Sequence, residues 1–179
     1  MPAPDELERT YRYEGRVPTP EALRAVDGLT YVRQILAGDA PAAPIAATLA
    51  FSLTAADRGT ATFEGTPQRL AYNPMGQIHG GWIATLLDSA MGCAVQTTLP
   101  AGRGYTTLEL SVRMVRAVHE GTGPMRCVGR VVHAGGTVIT AEGQLLDAAG
   151  TLHAHGATTC LVLAPRGGVA ATPSSPSSP

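Results

Sequence analysis

The spacing of apolar positions near the start of the chain is typical of helices. Thr19 followed by Pro20 suits a helix N-terminus, because threonine caps the first turn and proline is tolerated at the first helical position. Apolar side chains then recur at helical spacing up to Gly38. Asp27 and Gly28 interrupt that spacing. The sequence therefore predicts an N-terminal helical segment made of two short helices.

Farther along, alternating positions predict strands on both sides of one apolar stretch. A linker containing Pro41 and Pro44 leads to a predicted hairpin with its turn at 55–58. The stretch from Trp82 to Val95 is apolar on nearly every side, which is typical of a helix enclosed by other structure. The predicted strands cover 48–54, 59–65, 105–118, 124–133, 137–147 and 151–163. This order predicts an α+β fold, with a largely antiparallel β-sheet against a long central helix.

The two ends of the chain differ from its middle. Residues 1–18 are polar and are interpreted as an N-terminal arm. Residues 165–179 are rich in Pro and Ser and predict a disordered tail, because such a composition buries too little apolar surface to order itself. Residues 19–164 then form one domain. The first residues show no basic run followed by an apolar core, so we expect no signal peptide and a cytoplasmic location.

Composition narrows the classes of function. Lys and Arg number 13 against 14 Asp and Glu, a net charge of −1, which lacks the positive field that a general nucleic-acid binder uses. The longest apolar run is too short to span a bilayer, so we expect no membrane insertion. Three scattered cysteines without a CxxC pair argue against a disulfide framework and a structural zinc site. Charged residues make up only 15% of the chain, which suggests surface hidden between subunits.

Asp88 is the most informative residue. It is the only charged residue between Arg69 and Arg103, and it lies on the apolar helix. Burying an unpaired carboxylate costs several kcal/mol or raises its pKa, and a fold tolerates this mainly where the group has a function. The alternative is structural: Asp88 faces a solvent seam or bonds the hydroxyls of Thr85 and Ser89.

Gly80 and Gly81 stand at the predicted start of the same helix. Backbone N–H groups there have no helical acceptor, and with the helix dipole they form a site for a carbonyl oxygen or an oxyanion. Tight packing of the helix start is the alternative reading. Gly80 and Asp88 are eight residues apart, roughly 12 Å along a helix, so one chain cannot bring both to one atom. Two antiparallel helices of a homodimer could, which would give two shared sites.

The segment Asn73-Pro-Met-Gly-Gln-Ile-His79-Gly80-Gly81, followed by Asp88, resembles the hotdog-fold acyl-CoA thioesterases of the PaaI (phenylacetate-pathway) type. The resemblance runs from about Gly28 to Leu163. It implies a hotdog fold, dimers, and often tetramers made by pairing two dimers. It also implies hydrolysis of an acyl-CoA substrate without a cofactor.

The resemblance also implies roles for five residues. Asp88 matches the catalytic carboxylate, which activates water or attacks the thioester directly. Gly80 matches the residue whose N–H polarises the thioester carbonyl, and Asn73 matches a polar residue that holds substrate or water. His79 occupies the motif histidine, with a positioning role, and Thr107 matches a Ser or Thr that orients the water.

Substrate contacts are less well defined by the sequence. The turn at 134–137 lacks the Arg or Lys that family members often direct at CoA phosphate, which leaves Arg113, Arg116 or Arg130. A related branch of hotdog thioesterases, which uses a glutamate base, has a threonine one turn beyond that acid. This chain has Gly92 at the corresponding position, so the resemblance to the aspartate branch is better. The residues predicted to contact substrate are Gly81, Trp82, Met75, Arg113 and Arg116.

The sequence thus predicts an acyl-CoA thioesterase that acts on an aryl- or short- to medium-chain acyl-CoA. Two alternatives stay open at this point: a non-catalytic acyl-CoA-binding hotdog protein, and a hotdog lyase of enoyl or hydroxyacyl thioesters. His153 and His155 lie on one face of a predicted strand, but no third ligand completes a metal site, so no metal is expected. The acyl group, and dimer against tetramer, are not determined by the sequence.

Overall fold

The long helix Gly80–Gln96 packs across an antiparallel sheet and contacts every strand of it. The structure is a computed structural model that describes residues 8–13, 15 and 17–164. Single turns of 3₁₀ helix occur at Arg69–Ala71 and Glu120–Thr122. The described residues form these elements: α1 (Pro20–Arg24), α2 (Gly28–Ala37), α3 (Pro44–Leu49), β1 (Phe51–Asp57), β2 (Thr60–Gly65), α4 (Gly80–Gln96), β3 (Gly104–Met114), β4 (Met125–Ala134), β5 (Val138–Asp147) and β6 (Leu152–Leu163).

The strand order in this sheet is β1-β2-β4-β5-β6-β3, and every neighbouring pair is antiparallel. Strands β4, β5 and β6 follow one another as a meander, whereas β3 crosses over to pair with β6 at the edge. The predicted α+β architecture, an antiparallel sheet against one long helix, is confirmed.

The core forms along α4. Leu86, Leu87, Ala90 and Met91 are completely buried, as the all-round apolar pattern predicts. Side chains from all six strands of the described sheet pack against the helix. Burying each large apolar side chain is worth roughly 1.5–3 kcal/mol, so this helix is the main contributor to the core.

Three glycines form a row across the sheet under α4. Gly129 of β4 is paired with Gly143 of β5, which is paired with Gly156 of β6. A Cβ atom on Gly129 would lie 2.3 Å from the backbone of Ala90. The absence of side chains therefore allows the helix backbone to approach the sheet directly, and it fixes where α4 lies.

The N-terminal segment forms two short helices, as predicted. The Thr19 hydroxyl accepts a hydrogen bond from the Ala22 N–H (3.2 Å) and caps α1. The Asp27 carboxylate accepts one from the Thr30 N–H (3.1 Å) and caps α2. Asp27 thus separates the helices because it begins the second one.

The predicted linker and hairpin turn are wrong in detail. Pro44 begins helix α3, so Thr48 is helical and β1 starts only at Phe51. Strand β1 continues to Asp57 through an irregularity in its pairing with β2, and the turn follows it. Gly59 takes the left-handed conformation that this turn requires (φ 79°). The predicted turn at 55–58 therefore belongs mostly to the strand.

Strand β3 ends at Met114, earlier than the predicted Val118. The Val118 carbonyl instead accepts a hydrogen bond from the Ile78 N–H (2.9 Å), which ties the segment after β3 to the residues preceding α4. Of the predicted N-terminal arm, residues 1–7, 14 and 16 lie outside the described residues. The predicted tail, 165–179, lies entirely outside them. The division into arm, domain and tail stays a prediction.

Candidate active site

Asp88 lies in the middle of α4, where the helix passes strand β3. Its carboxylate accepts a long hydrogen bond from the Thr107 hydroxyl (3.4 Å). Partial burial raises the pKa of Asp88 above its ordinary value of 3.8, and the hydrogen bond from Thr107 acts in the opposite direction. Thr85, which the structural alternative pairs with Asp88, instead donates its hydroxyl to the Gly81 carbonyl (2.8 Å). Two residues that are distant in sequence, Asp88 and Thr107, are thus brought together.

A cavity of about 540 Å³ opens beside Asp88. This volume lies within the usual range of small-molecule sites, about 300–1,000 Å³. Its apolar walls come from the N-terminal helices and the first hairpin, and they include Ile35, Ala47, Phe51, Leu53 and Phe63. Helix α4 contributes Asp88, Ser89 and Cys93 to its walls, and β3 contributes Tyr105. The carboxylate therefore stands at the wall of a mainly apolar space.

The N-terminus of α4 is a second polar region. His79 is the N-cap, and its Nδ1 accepts a hydrogen bond from the Gly81 N–H (2.9 Å). The Trp82 N–H donates to the His79 carbonyl (3.0 Å). Within the described part of the chain the Gly80 N–H has no acceptor. Of the two glycines predicted to present N–H groups, Gly80 alone offers one, because His79 already binds that of Gly81.

A cleft of about 270 Å³ lies against Gly80, and Asn73, Met114 and Arg116 contribute to its walls. The Asn73 side-chain oxygen accepts hydrogen bonds from the N–H groups of Met75 (2.9 Å) and Gln77 (3.2 Å). This oxygen therefore stabilises the turn before α4. The amide NH₂ of Asn73 is the part of the side chain that remains for another molecule.

The predicted substrate contacts are dispersed. Arg116 shares the cleft at Gly80, whereas Arg113 lines a different cleft with Glu142 and His155. Met75 is 79% exposed on the turn. Trp82 is a core residue, 3% exposed, and its indole N–H donates to the Leu49 carbonyl (2.8 Å). Trp82 therefore supports α3 from inside and does not line the cavity.

Sequence reasoning missed Tyr105 and the cavity walls. Tyr105 extends to α4 at Gly92, where an added Cβ atom would lie 2.4 Å from the tyrosine hydroxyl. Gly92 in an otherwise apolar helix was the only available signal, since a glycine there often permits a close approach. Cys93, expected to serve packing, lies on the same wall, and burial raises the pKa of its thiol to about 12. It is therefore a protonated thiol and a poor nucleophile.

Both ring nitrogens of His153 lie within hydrogen-bond distance of other protein groups. Its imidazole contacts the Ala117 carbonyl (3.1 Å) and the Asp147 carboxylate (3.3 Å). No group of three or more His, Cys, Asp or Glu side chains that could hold a metal ion occurs within residues 8–13, 15 and 17–164. Over the same residues, no helix combines the length and apolar character needed to cross a membrane.

The family comparison matches the region that carries the site. A family model described as the thioesterase superfamily matches residues 75–154, which include Gly80, Asp88 and Thr107. A Halobacterium salinarum protein named as an esterase is 36% identical over 82 residues, 45% of this chain and 52% of that protein. The chain thus spans about half the length of this curated relative.

Solved structures share the fold over most of their length. A thioesterase related to phenylacetic acid degradation, from Ralstonia eutropha JMP134, is 29% identical with a TM-score of 0.67, over 73% of this chain and 98% of that one. The E. coli PaaI protein is 16% identical with a TM-score of 0.68, over 76% and 96%. A Streptococcus mutans protein bound to acetyl-CoA is 24% identical with a TM-score of 0.59, over 65% and 91%.

These matches confirm the predicted resemblance. The chain has a hotdog fold, and its residues 75–154 are similar to the thioesterase superfamily. It is similar in sequence to the Ralstonia protein, which is related to phenylacetic acid degradation, and similar in fold to E. coli PaaI.

Proposed function

We propose that the protein hydrolyses an acyl-CoA thioester to the free acid and CoA. The observation that carries this proposal is the Asp88 carboxylate, which accepts a hydrogen bond from Thr107 and stands at the wall of a mainly apolar cavity. A base is required beside the reacting carbonyl, and an apolar space is required for the acyl group. The similarity of residues 75–154 to the thioesterase superfamily and the acetyl-CoA bound to the Streptococcus mutans protein support a CoA thioester as the substrate.

The thioester carbonyl oxygen accepts a hydrogen bond from the Gly80 N–H at the positive end of α4, where developing negative charge is stabilised. Asp88 takes a proton from water, which attacks the carbonyl carbon. The C–S bond then breaks, and the CoA sulfur receives the proton. Direct attack by the carboxylate, through an anhydride that water hydrolyses, uses the same groups. Neither route requires a metal ion.

The two halves of this site come from different subunits. Eight helical residues, roughly 12 Å, separate Gly80 from Asp88 within one chain, too far for both to reach one carbonyl group. In the proposed homodimer, Gly80 of one subunit faces Asp88 of the other. Asn73 and Arg116 lie in the cleft at Gly80, where they are available to the CoA portion of the substrate.

The test is the Asp88→Asn variant in a thiol-release assay with acyl-CoA substrates. Asparagine has nearly the same shape but no basic carboxylate, so turnover should fall by about 10²–10⁴-fold while the fold is retained. Circular dichroism and thermal melting control for folding. Near-wild-type hydrolysis by the variant contradicts the mechanism. Tight binding of acyl-CoA without release of thiol by the wild-type protein favours a non-catalytic binding protein, and crotonyl-CoA hydration favours a lyase.

A further inference from the structure

A second cavity of about 500 Å³ adjoins the cavity at Asp88. Residues of α1, α2, α4 and the start of β3 line it, among them Leu23, Tyr31 and Thr107, the residue whose hydroxyl donates to Asp88. Ile35, Cys93 and Tyr105 line both cavities. The two spaces therefore share a wall, and these three side chains form it.

The cavities follow one another along α4. Asp88 and Ser89 line only the first, Cys93 lines both, and Gln96 lines only the second. An acyl group that enters beside Asp88 and follows the helix therefore meets the shared wall about one turn later.

Tyr105 is the largest side chain of that wall, and the helix is shaped to receive it. Its hydroxyl occupies the position that a side chain on Gly92 would take, because an added Cβ atom would lie only 2.4 Å away. The side chain is partly buried, and desolvation raises the pKa of the phenol well above the ordinary value of 10.0, so the group is neutral. Tyr105 is thus a fixed, uncharged obstacle.

The chemistry of the two cavities differs on either side of Tyr105. The walls of the first are dominated by aliphatic and aromatic side chains from α2, α3, β1 and β2. The second has Arg24 and Arg103 in its walls. Its walls also include apolar side chains, Leu23 and Val32 among them, so an acyl chain that passed Tyr105 would still find apolar surface there.

We propose that Tyr105 is the specificity-determining residue that ends the acyl site. The first cavity takes an unbranched medium-length or single-ring acyl group without charge, the far end of which stops at Tyr105, so the acyl group does not enter the second cavity. This inference rests on the proposed function, because it defines the acyl group of the same reaction.

The experiment compares hydrolysis of a series of straight-chain acyl-CoA esters, from butanoyl to hexadecanoyl, by the wild type, Tyr105→Ala and Tyr105→Phe. For the wild type, kcat/KM should rise about fourfold per added methylene, as expected for apolar burial, and stop rising at the length that reaches Tyr105. Tyr105→Ala should continue that rise for at least two more methylenes, a gain of about 16-fold on the longer substrates. Tyr105→Phe keeps the ring and should keep the wild-type optimum.

Filling the second cavity supplies the matched control. Leu23 lines only that cavity, so Leu23→Trp should leave the wild-type length profile unchanged and should abolish the gain in the Tyr105→Ala background. The proposal is overturned if Tyr105→Ala keeps the wild-type optimum, or if Leu23→Trp alone shortens it. Should Tyr105→Ala fail to fold, as judged by thermal melting, Gly92→Ala tests the same wall, because its methyl group must displace the tyrosine and change the optimum.

Calorimetric binding of free straight-chain carboxylic acids separates this inference from the proposed function. A wild-type protein that hydrolyses no acyl-CoA contradicts the proposed function. The role of Tyr105 is still supported if the affinity of the wild type rises with chain length only up to a limit and if Tyr105→Ala extends that limit. Binding with no such limit in the wild type contradicts it.

Discussion

At the N-terminus of α4 the candidate reactive group is a backbone N–H, whereas in the middle of the same helix it is a side chain. Gly80 owes its position to the turn that Asn73 stabilises and to the cap that His79 provides. Asp88 depends on one hydrogen bond from Thr107 and on the apolar cavity beside it. The first region is polar and partly exposed, and the second is half-buried.

The difference decides how each region can be tested. A side chain is removed by almost any substitution, whereas a backbone N–H survives every substitution except proline. The first region should therefore tolerate changes of side chain that keep the turn, and the second should not tolerate loss of its carboxylate. Because both regions act on one carbonyl group in the proposed mechanism, defects in either should abolish the same reaction.

The largest effect after loss of Asp88 is expected from Gly80→Pro. Proline removes the N–H, and it suits the first position of a helix after the extended backbone of His79 (ψ 138°). Loss of one oxyanion donor should lower kcat by about 10²–10³-fold. Gly80→Ala is the matched control, because its Cβ meets the same flexible end of Met114 but its N–H remains.

In steady-state assays of thiol release, Gly80→Ala should therefore stay much closer to the wild type than Gly80→Pro. If kcat falls equally in both variants, the cause is crowding against Met114, and the Gly80 N–H has no role in the mechanism.

A mixed dimer tests whether the two regions belong to different subunits. Co-expression of differently tagged Asp88→Asn and Gly80→Pro chains yields heterodimers that carry one intact site and one site with both defects. Such heterodimers should recover about half of the wild-type activity per dimer, whereas each parent homodimer stays inactive. Heterodimers as inactive as their parents would mean that one chain supplies both groups.

Much of the fold could be predicted from periodicity. The all-round apolar stretch predicted α4, and strong alternation predicted the last four strands. Helix α3 was missed because Pro44–Leu49 is too short to show a helical period. The glycine row of β4, β5 and β6 could not be seen either, because three separate glycines become a single row only through strand pairing.

The candidate site divides in the same way. Asp88 was predictable because one charge in a long uncharged stretch is visible in the sequence alone. The cavity was not, because its walls come from α2, α3 and the first hairpin, and only tertiary packing brings these to the helix. Trp82 illustrates the converse. The sequence predicts a substrate contact for it, and only the structure shows that its indole N–H donates to the Leu49 carbonyl inside the core.

A smaller effect, one on pH dependence, is expected from Thr107→Val. The hydrogen bond from Thr107 lowers the pKa of Asp88, which burial raises, so its removal should raise that pKa further. A general base acts when deprotonated, and activity is lost as pH falls through its pKa. The acidic limb of kcat/KM should therefore move to higher pH, with less than about tenfold loss at the optimum.

Thr107→Ser keeps the hydroxyl donor and should keep the wild-type pH profile. An acidic limb that moves to lower pH in Thr107→Val, or does not move, would show that Thr107 does not act on the Asp88 carboxylate.

The smallest effect is expected from His79, and on stability more than on catalysis. The His79 side chain caps α4 by accepting the Gly81 N–H, so His79→Ala should lower the free energy of unfolding by about 0.5–2 kcal/mol. His79→Asn restores a capping acceptor and should recover most of that loss in urea denaturation. Because His79 touches the backbone and not the reacting carbonyl in this mechanism, His79→Asn should keep kcat within about tenfold of the wild type. If kcat of His79→Asn falls as far as that of Gly80→Pro, the imidazole is a catalytic group. The reactive group at the N-terminus of α4 would then be a side chain, as it is at Asp88.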